Sequence, residues 1–376
     1  MKVIIAGGGT AGHVFPALAL AERLTARGAE MTFVGSSAGP EARLVPEAGH
    51  AFRALRVAPA QTRISLGALK ALWRTLVGAR EIRPLVKEAD VVVGIGGYAS
   101  APALLAARRA GTPIVLIEQN SVPGAVNKIA SRWAAVVAVV FDGTAARLRP
   151  GVRVERTGNP VRPEILAVGA ARAQLVIEAW AAFGLDPARR TVAVFGGSQG
   201  ALHLDEVLAG ALPLLRDRAD IQLLVATGPA HVGVLQPAVA DAGGLPVRVY
   251  GFIERMDLAL AVTDLAVSRA GSGHIAELAA CGVPAILVPY PHATENHQEA
   301  NARELERTGA ATVLLDAGLS PEGLAAAILR LMDDDGARAG MARAMQTWAR
   351  PDAAERLAAL VTEVAEAAEA AEAAGS

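Results

Sequence analysis

The chain has 376 residues, a formal net charge of −1 and a composition that is 52% hydrophobic but only 4% aromatic. That length is too great for one ordinary core and favours two domains. The single cysteine, Cys281, excludes an internal disulfide, and no apolar run approaches the ~20 residues of a membrane span, the longest being Trp133 to Phe141. The opening run Met1-Lys-Val-Ile-Ile-Ala-Gly is too short for a signal peptide, so a cytosolic chain is expected. Charge is uneven: residues 1–160 carry 20 Lys and Arg against 10 Asp and Glu, and the remainder carries 16 against 27. A basic first half suggests an anionic partner there, a phosphorylated substrate or an acidic membrane surface; solvated surface charge is the plainer explanation.

In chain order, the pattern predicts strands near 2–6, 30–34, 51–57, 90–95, 113–118, 135–140 and 152–157. Helices fall between them near 14–27, 39–48, 65–83, 99–110 and 124–133. Gly158-Asn-Pro-Val-Arg-Pro163 then reads as a stiff turn and a domain boundary. Beyond it the plan repeats, with strands near 191–195, 221–226, 247–251, 264–268, 284–289 and 311–315. Helices alternate with these near 200–216, 232–242, 254–262, 273–281, 295–308 and 320–333. Residues 336–374 read as two helical pieces separated by Pro351, the last stretch being Ala and Glu alone and expected to fray or solvate. Strand–helix alternation with short turns argues for parallel sheets that bind ligands beyond the carboxyl ends of their strands.

Two glycine loops stand in equivalent places. Gly7-Gly-Gly-Thr-Ala-Gly12-His13 follows the first strand, and Gly196-Gly-Ser-Gln-Gly200-Ala201 follows the first strand of the second half. Each opens a helix, whose N–H groups and dipole attract anions. The first also fits the dinucleotide fingerprint, but the second strand, Met31-Thr-Phe-Val34-Gly-Ser-Ser-Ala, lacks the acid that would take a ribose hydroxyl. No Gly-Lys pair exists, which excludes a Walker A loop. The second loop fits the nucleophile elbow of hydrolases, a reading that leaves the first half unexplained; otherwise Ser198 is a donor to phosphate. Asp333-Asp-Asp335 contains an Asp-x-Asp pair and reads as a solvated acidic cluster rather than a metal site.

Gly94-Ile-Gly-Gly-Tyr98 is a third loop, either a second anion site or a tight turn. His13 stands at a helix entrance, where the dipole favours a neutral imidazole able to accept a proton. Glu277, one turn into the helix after Gly271-Ser-Gly, can hold a ribose diol or simply serve the helix dipole. Gln298 offers an amide that both donates to and accepts from sugar hydroxyls.

Taken in order, Gly-Gly-Gly-Thr-Ala-Gly-His, Gly-Ile-Gly-Gly-Tyr, Glu118-Gln-Asn120, Gly158-Asn-Pro-Val-Arg162, Gly-Gly-Ser-Gln-Gly, Gly251-Phe-Ile253, the Glu277 loop and His297-Gln298 resemble the MurG family, glycosyltransferase family 28, over residues 1–360. The resemblance implies an α/β GT-B fold of two Rossmann-like domains facing across a cleft. It implies domains at 1–161, which takes the acceptor and the membrane, and 162–350, which takes UDP-GlcNAc, with a terminal helix and Glu/Ala tail over 351–376.

By the same resemblance, Ile253 offers its backbone to uracil, Glu277 takes the ribose, and Ser198 with Ser272, Gly273, His274, Ile275 and Ala276 holds the diphosphate. Gln298 and Asn120 face the GlcNAc, while Thr10, Ala11, Gly12 and Arg162 complete the donor site. The implied reaction is inverting transfer of GlcNAc to the C4 hydroxyl of undecaprenyl-pyrophosphoryl-MurNAc-pentapeptide (lipid I), giving lipid II for peptidoglycan. His13 is the implied base, with Glu118 as second choice, and helix N-termini stabilise the departing UDP without a metal or other cofactor. Ala11 stands where a glycine is common, and Ile117 where many members carry His.

The rival readings are a non-transferase enzyme of the same fold, such as a UDP-GlcNAc epimerase, and a nucleotide-sugar binding module. No nucleic-acid partner is implied. A lipid acceptor implies a peripheral protein at the cytoplasmic membrane face. Residues 63–83 place Leu66, Leu69, Leu72, Trp73, Leu76 and Val77 at helical spacing among Arg63, Lys70, Arg74, Arg80 and Arg83. Pattern alone favours a core-facing stripe; the resemblance favours the membrane surface.

Overall fold

The computed structural model describes residues 1–57, 66–197 and 200–375. The chain forms two compact units, residues 1–161 with 350–376, and residues 162–349.

In the first unit the strands are β1 (Lys2–Ala6), β2 (Glu30–Ser36), β3 (Ala51–Leu55), β4 (Val91–Gly94), β5 (Ile114–Glu118), β6 (Val136–Val139) and β7 (Val154–Arg156). Between them lie α1 (Ala11–Ala26), α2 (Glu41–Glu47), α3 (Leu66–Lys87), α4 (Ala101–Ala110) and α5 (Ala125–Ala130). All pairings are parallel, in the order β3-β2-β1-β4-β5-β6-β7. The central strands are apolar along their length because both faces are covered. Val3 and Ile5 of β1 pack on one side with Val14, Leu20 and Leu24 of α1. Ile4 and Ala6 pack on the other with Ile82 and Val86 of α3 and Leu104 of α4. Side chains that alternate along β1 therefore feed two separate cores.

The second unit opens with α6 (Pro163–Leu166) and α7 (Val168–Phe183), which the sequence reading leaves unassigned. Pro163 occupies the first turn of a helix, where its missing N–H costs nothing, instead of blocking one. There follow β8 (Arg190–Phe195), α8 (Leu202–Leu215), β9 (Ile221–Ala226), α9 (Val232–Ala240), β10 (Val247–Tyr250), α10 (Met256–Val262), β11 (Thr263–Ser268) and α11 (Ser272–Cys281). The unit closes with β12 (Ala285–Leu287), α12 (His297–Arg307), β13 (Ala311–Val313), α13 (Pro321–Asp333) and α14 (Asp335–Trp348). Its sheet is also all parallel, in the order β10-β9-β8-β11-β12-β13. Val192 and Val194 of β8 pack with Leu204 and Leu208 of α8 and Ile328 and Leu331 of α13. Cys281 is buried, and burial pushes its thiol up to about 12, so it is an inert core residue.

The last helix, α15 (Ala353–Gly375), is not the separate tail that the sequence suggests. Leu357, Ala358, Leu360, Val361, Val364 and Ala365 complete the first unit's core against α1 and β4. Ion pairs from Arg27 to Glu355 and from Arg153 to Glu363 (2.6 Å) flank that face. The Ala/Glu stretch after Ala365 stays helical, with its residues largely exposed. The α3 stripe also departs from the pattern-based expectation. Ala71, Gly78, Ala79, Ile82 and Val86 face inward, while Leu69, Leu72, Trp73, Leu76 and Val77 are exposed, Trp73 by 64%. Arg63 and the side chain of Leu66 lie outside the described residues. Among the described residues no helix is long and apolar enough to cross a membrane.

Truncating Leu357 to Ala removes buried volume between α15 and α1, and should cost the first unit about 2–5 kcal/mol. Urea unfolding followed by hydrogen exchange should locate the loss in residues 1–161, and Glu369→Ala, on the exposed part of α15, should leave both readings unchanged.

Candidate functional site

In the first unit the strand order reverses between β1 and β4, the place where open parallel sheets bind ligands. The loops after these two strands touch. Gly97 has φ +72°, and a Cβ there would lie 2.7 Å from the Gly8 carbonyl oxygen, so only glycine allows the approach. Gly8 itself has φ +143°, and a Cβ on it would strike the Glu41 carboxylate at 2.1 Å. His13, in the first turn of α1, holds Nδ1 3.1 Å from the Gly8 carbonyl oxygen and 3.1 Å from Thr10 Oγ1. A carbonyl can only accept, so the Gly8 contact requires the proton on Nδ1, whereas the Thr10 hydroxyl can either donate to that nitrogen or accept from it. Nε2 faces the third loop, 3.8 Å from where a Gly96 Cβ would stand.

Thr10 is the N-cap of α1 and makes no side-chain cap, and the first turn, which begins with Ala11 and Gly12, holds no acidic residue. That helix end therefore keeps its positive character.

Glu118 ends β5 and is buried, with its carboxylate turned into the chain. Oε1 accepts the Asn120 N–H (2.9 Å), and Oε2 accepts the Gly124 N–H (3.0 Å) and Asn127 Nδ2 (2.9 Å). Burial lifts its pKa above the usual carboxylate value, against the pull of those donors. It anchors the 118–124 loop and so fixes Asn120, whose carbonyl accepts the Thr144 hydroxyl at 3.0 Å. The second-choice base is thus a loop anchor, because both of its oxygens are held by chain donors.

In the second unit the reversal falls between β8 and β11. Ser198 and Gln199 lie outside the described residues. The loop's last glycine, Gly200, has φ +82°, and a Cβ there would lie 2.2 Å from the Thr227 carbonyl oxygen. After β11, Gly271 caps α11, and the helix opens with Ser272, Gly273 and His274, with neither a side-chain cap nor an acid in its first turn. Ile275 and Ala276 are buried and can present only backbone to a ligand.

Glu277 is brought against Arg162: Oε1 accepts from the guanidinium at 3.1 and 3.3 Å, and Oε2 lies 3.3 Å from His274 Nδ1. Burial works to raise its pKa, but His274 and Arg162 outweigh it and hold the carboxyl below its usual value. Gln298 is more constrained than a generic amide. Its Oε1 accepts both the Ala270 N–H (3.1 Å) and the Tyr290 N–H (3.0 Å), so its Nε2 is the polar group it can still offer a sugar. Ile253, beyond β10, buries its side chain, and its neighbour Phe252 is 61% exposed.

The sequence reading missed several polar residues. Glu41 accepts the Gly9 N–H at 2.9 Å and the Ser36 N–H at 2.9 Å. Asn127 holds Glu118 and the Ile117 carbonyl. Arg269 spans the Val288 carbonyl (3.2 Å) and Asp316, which His203 also contacts at 2.8 Å. Asp205 of α8 is fully buried, its carboxylate oxygens meet no hydrogen-bond donor at good geometry among the described residues, and His231 Nδ1 is 3.5 Å away. Burial pushes its pKa up to about 7, against the pull of Arg269. The acidic trio is structural: Asp333 pairs with Arg218, Asp334 caps α14 through the Ala337 N–H, and Asp335 pairs with Arg190.

Both halves match known domains: the glycosyltransferase family 28 N-terminal domain over residues 3–139 and the glycosyltransferase family 28 C-terminal domain over residues 191–357. The chain belongs to glycosyltransferase family 28. A relative from Desulforamulus reducens, named UDP-N-acetylglucosamine--N-acetylmuramyl-(pentapeptide) pyrophosphoryl-undecaprenol N-acetylglucosamine transferase, is 39% identical over 94% of this chain and 96% of its own length. The crystal structure of Acinetobacter baumannii MurG is similar at a TM-score of 0.78 and 30% identity, covering 96% of this chain and 99% of that one. The UDP-GlcNAc 2-epimerase of Neisseria meningitidis shares the fold alone, with a TM-score of 0.68 and 13% identity over 97% of this chain and 99% of its own. The family 28 chain is thus a GT-B glycosyltransferase of two Rossmann-like units.

Asp205 ties pH to stability in a stated direction. Its folded pKa of about 7 lies above the ordinary 3.8, so the folded state holds a proton that the unfolded chain releases. Stability is then highest below the unfolded value and falls as pH rises through about 7. Asp205→Asn should therefore stabilise the protein at pH 8 by on the order of 1–3 kcal/mol and by much less at pH 4. Thermal melts across that range check the sign; an equal gain at both pH values would contradict it.

Proposed function

We propose that this chain is an inverting N-acetylglucosaminyltransferase that moves GlcNAc from UDP-GlcNAc to the C4 hydroxyl of MurNAc in undecaprenyl-pyrophosphoryl-MurNAc-pentapeptide, giving lipid II. The observation that carries the reading is the relationship to a transferase of that name at 39% identity, which spans both units and not one alone. The nucleotide sugar goes to the second unit. There the uncapped start of α11 receives the diphosphate, Glu277 beside Arg162 takes the ribose, and the Gln298 amide donates to the sugar. Ile253 offers its backbone to uracil, and Ser198 extends the diphosphate site.

The acceptor diphosphate goes to the first unit, at the helix ends that follow the first and third loops. The acceptor hydroxyl attacks the anomeric carbon, the bond from that carbon to the UDP oxygen breaks, and the hydroxyl proton passes to His13 Nε2. The Nδ1 contact with the Gly8 carbonyl keeps the lone pair on Nε2 for that step. The charge that grows on departing UDP is met by helix N-terminal dipoles already in place.

Radiolabelled UDP-GlcNAc with and without the lipid acceptor tests the reading. Label should enter lipid only when acceptor is present; conversion of the sugar nucleotide without acceptor would favour an epimerase, and binding without release of UDP a binding module. His13→Ala should lose about 10²–10⁴-fold in turnover while keeping its UDP-GlcNAc affinity; unchanged turnover removes His13 as the base.

The exposed face of α3 suits a peripheral membrane contact. Leu69, Leu72, Trp73, Leu76 and Val77 stand clear of the core, and Lys70 and Arg80 beside them are exposed. Trp73→Glu combined with Leu76→Glu should cut sedimentation with anionic vesicles and leave the circular dichroism spectrum unchanged. Undiminished vesicle binding would defeat the assignment.

A further inference from the structure

We propose that Glu41 is a positioning residue that sets the proton-accepting state of His13 through the single peptide group between Gly8 and Gly9. The proposal rests on the reading of His13 as the base. Both contacts fall on one amide. Its N–H, on Gly9, donates to Glu41 Oε2 at 2.9 Å. Its carbonyl, on Gly8, lies 3.1 Å from His13 Nδ1. Carboxylate, amide and imidazole are thus joined in series.

A peptide group is conjugated from nitrogen to oxygen. An ionised acceptor at its N–H pushes electron density toward the carbonyl, and hydrogen bonds in such chains polarise one another. A stronger acceptor at Gly8 holds the proton on Nδ1 and steadies the imidazolium that forms when Nε2 takes a second proton. Carboxylates that bond a catalytic or metal-binding histidine directly do the same work; here one peptide carries the effect. Thr10 Oγ1, 3.1 Å from the same nitrogen, is the competing partner, so the strength of the Gly8 carbonyl decides which contact dominates.

The surroundings of Glu41 are built for a carboxylate. It is 2% exposed, although it stands in the first turn of a short helix. Its other oxygen accepts the Ser36 N–H at 2.9 Å. Gly8, Gly35 and Gly39 surround it, and a Cβ on them would come within 2.1, 2.7 and 2.2 Å of its atoms. Among the described residues, the titratable groups at this corner include Glu41 through Gly9, Tyr98, whose ring edge lies 3.4 Å from where a Gly9 Cβ would stand, and Glu118 behind Asn127, which borders Gly96.

The test uses full-length protein with ¹⁵N-labelled histidine, the His13 signal being assigned by its loss in His13→Ala. Wild-type protein should show Nδ1 protonated and Nε2 unprotonated at neutral pH. In Glu41→Gln the side-chain NH₂ must face one of the two N–H donors, so the population should shift toward the Nε2–H form. kcat should fall by about 10–100-fold, with the KM for UDP-GlcNAc unchanged and the acid limb of the kcat profile displaced. An unaltered His13 tautomer in folded Glu41→Gln overturns the proposal, whatever happens to kcat. If Glu41→Gln fails to fold, Glu41→Asp, which keeps the charge but withdraws it by one methylene, is judged by the same tautomer criterion. A shifted tautomer combined with full transfer by His13→Ala would sink the base assignment and leave the coupling intact, so the two failures are distinguishable.

Discussion

A parallel strand that runs into a helix leaves amide hydrogens that neither element can use, and in this protein buried side chains decide which of them are taken. Glu41 takes those of Gly9 and Ser36, Glu118 those of Asn120 and Gly124, and Gln298 those of Ala270 and Tyr290. The openings of α1 and α11 receive neither a side-chain cap nor an acid, whereas α13 and α14 are capped by Ser320 and Asp334. Loop shape and the open start of these two helices therefore come from one allocation. Amides that define the turns are internally satisfied, and those at the starts of α1 and α11 are left with their dipole field uncompensated by a cap or an acid.

The same allocation explains the glycines better than phosphate approach alone does. Gly8 clears a space for a carboxylate of the protein itself, and Gly97 clears the carbonyl that His13 needs. The first loop meets the literal dinucleotide pattern yet lacks an acid on the second strand. The nearest one, Glu41, stands a few residues later and turns under the loop instead of toward a ribose. In the second unit the ribose-binding candidate is already engaged by Arg162 and His274, so a nucleotide has to share or displace those contacts.

The architecture was largely legible because parallel strands buried on both faces leave a plain signature: Val91 to Val93 and Ile114 to Ile117 are apolar without interruption and end in glycine or polar turns. The helix over 168–183 was not, because Ala, Val and Ile lie all around it and two prolines precede it. At the site, His13 and Glu277 stood out by their place beside glycine turns, and Gln298 by its place in a polar run that opens a helix. Glu41, Asn127 and Asp205 did not, since Glu41 and Asn127 work from beneath a loop and Asp205 is buried only by the packing of its helix. Nothing in Leu-His-Leu-Asp205 marks that aspartate as fully buried; only the packing of α8 against its sheet does so. Pattern alone misplaced the α3 stripe for the opposite reason, since helical spacing shows that a face is apolar but not which way it points.

The return of α15 to the first unit has a consequence for biogenesis. Synthesis delivers all seven strands of that unit early, but Leu357, Val361 and Val364 emerge only after the whole of the second unit has been made. Until then α1 and β4 present an uncovered apolar surface to solvent or to a chaperone. The unit that starts first is thus the one that finishes last, and a ribosome stalled late in the message would release a chain whose second lobe is mature and whose first is still open.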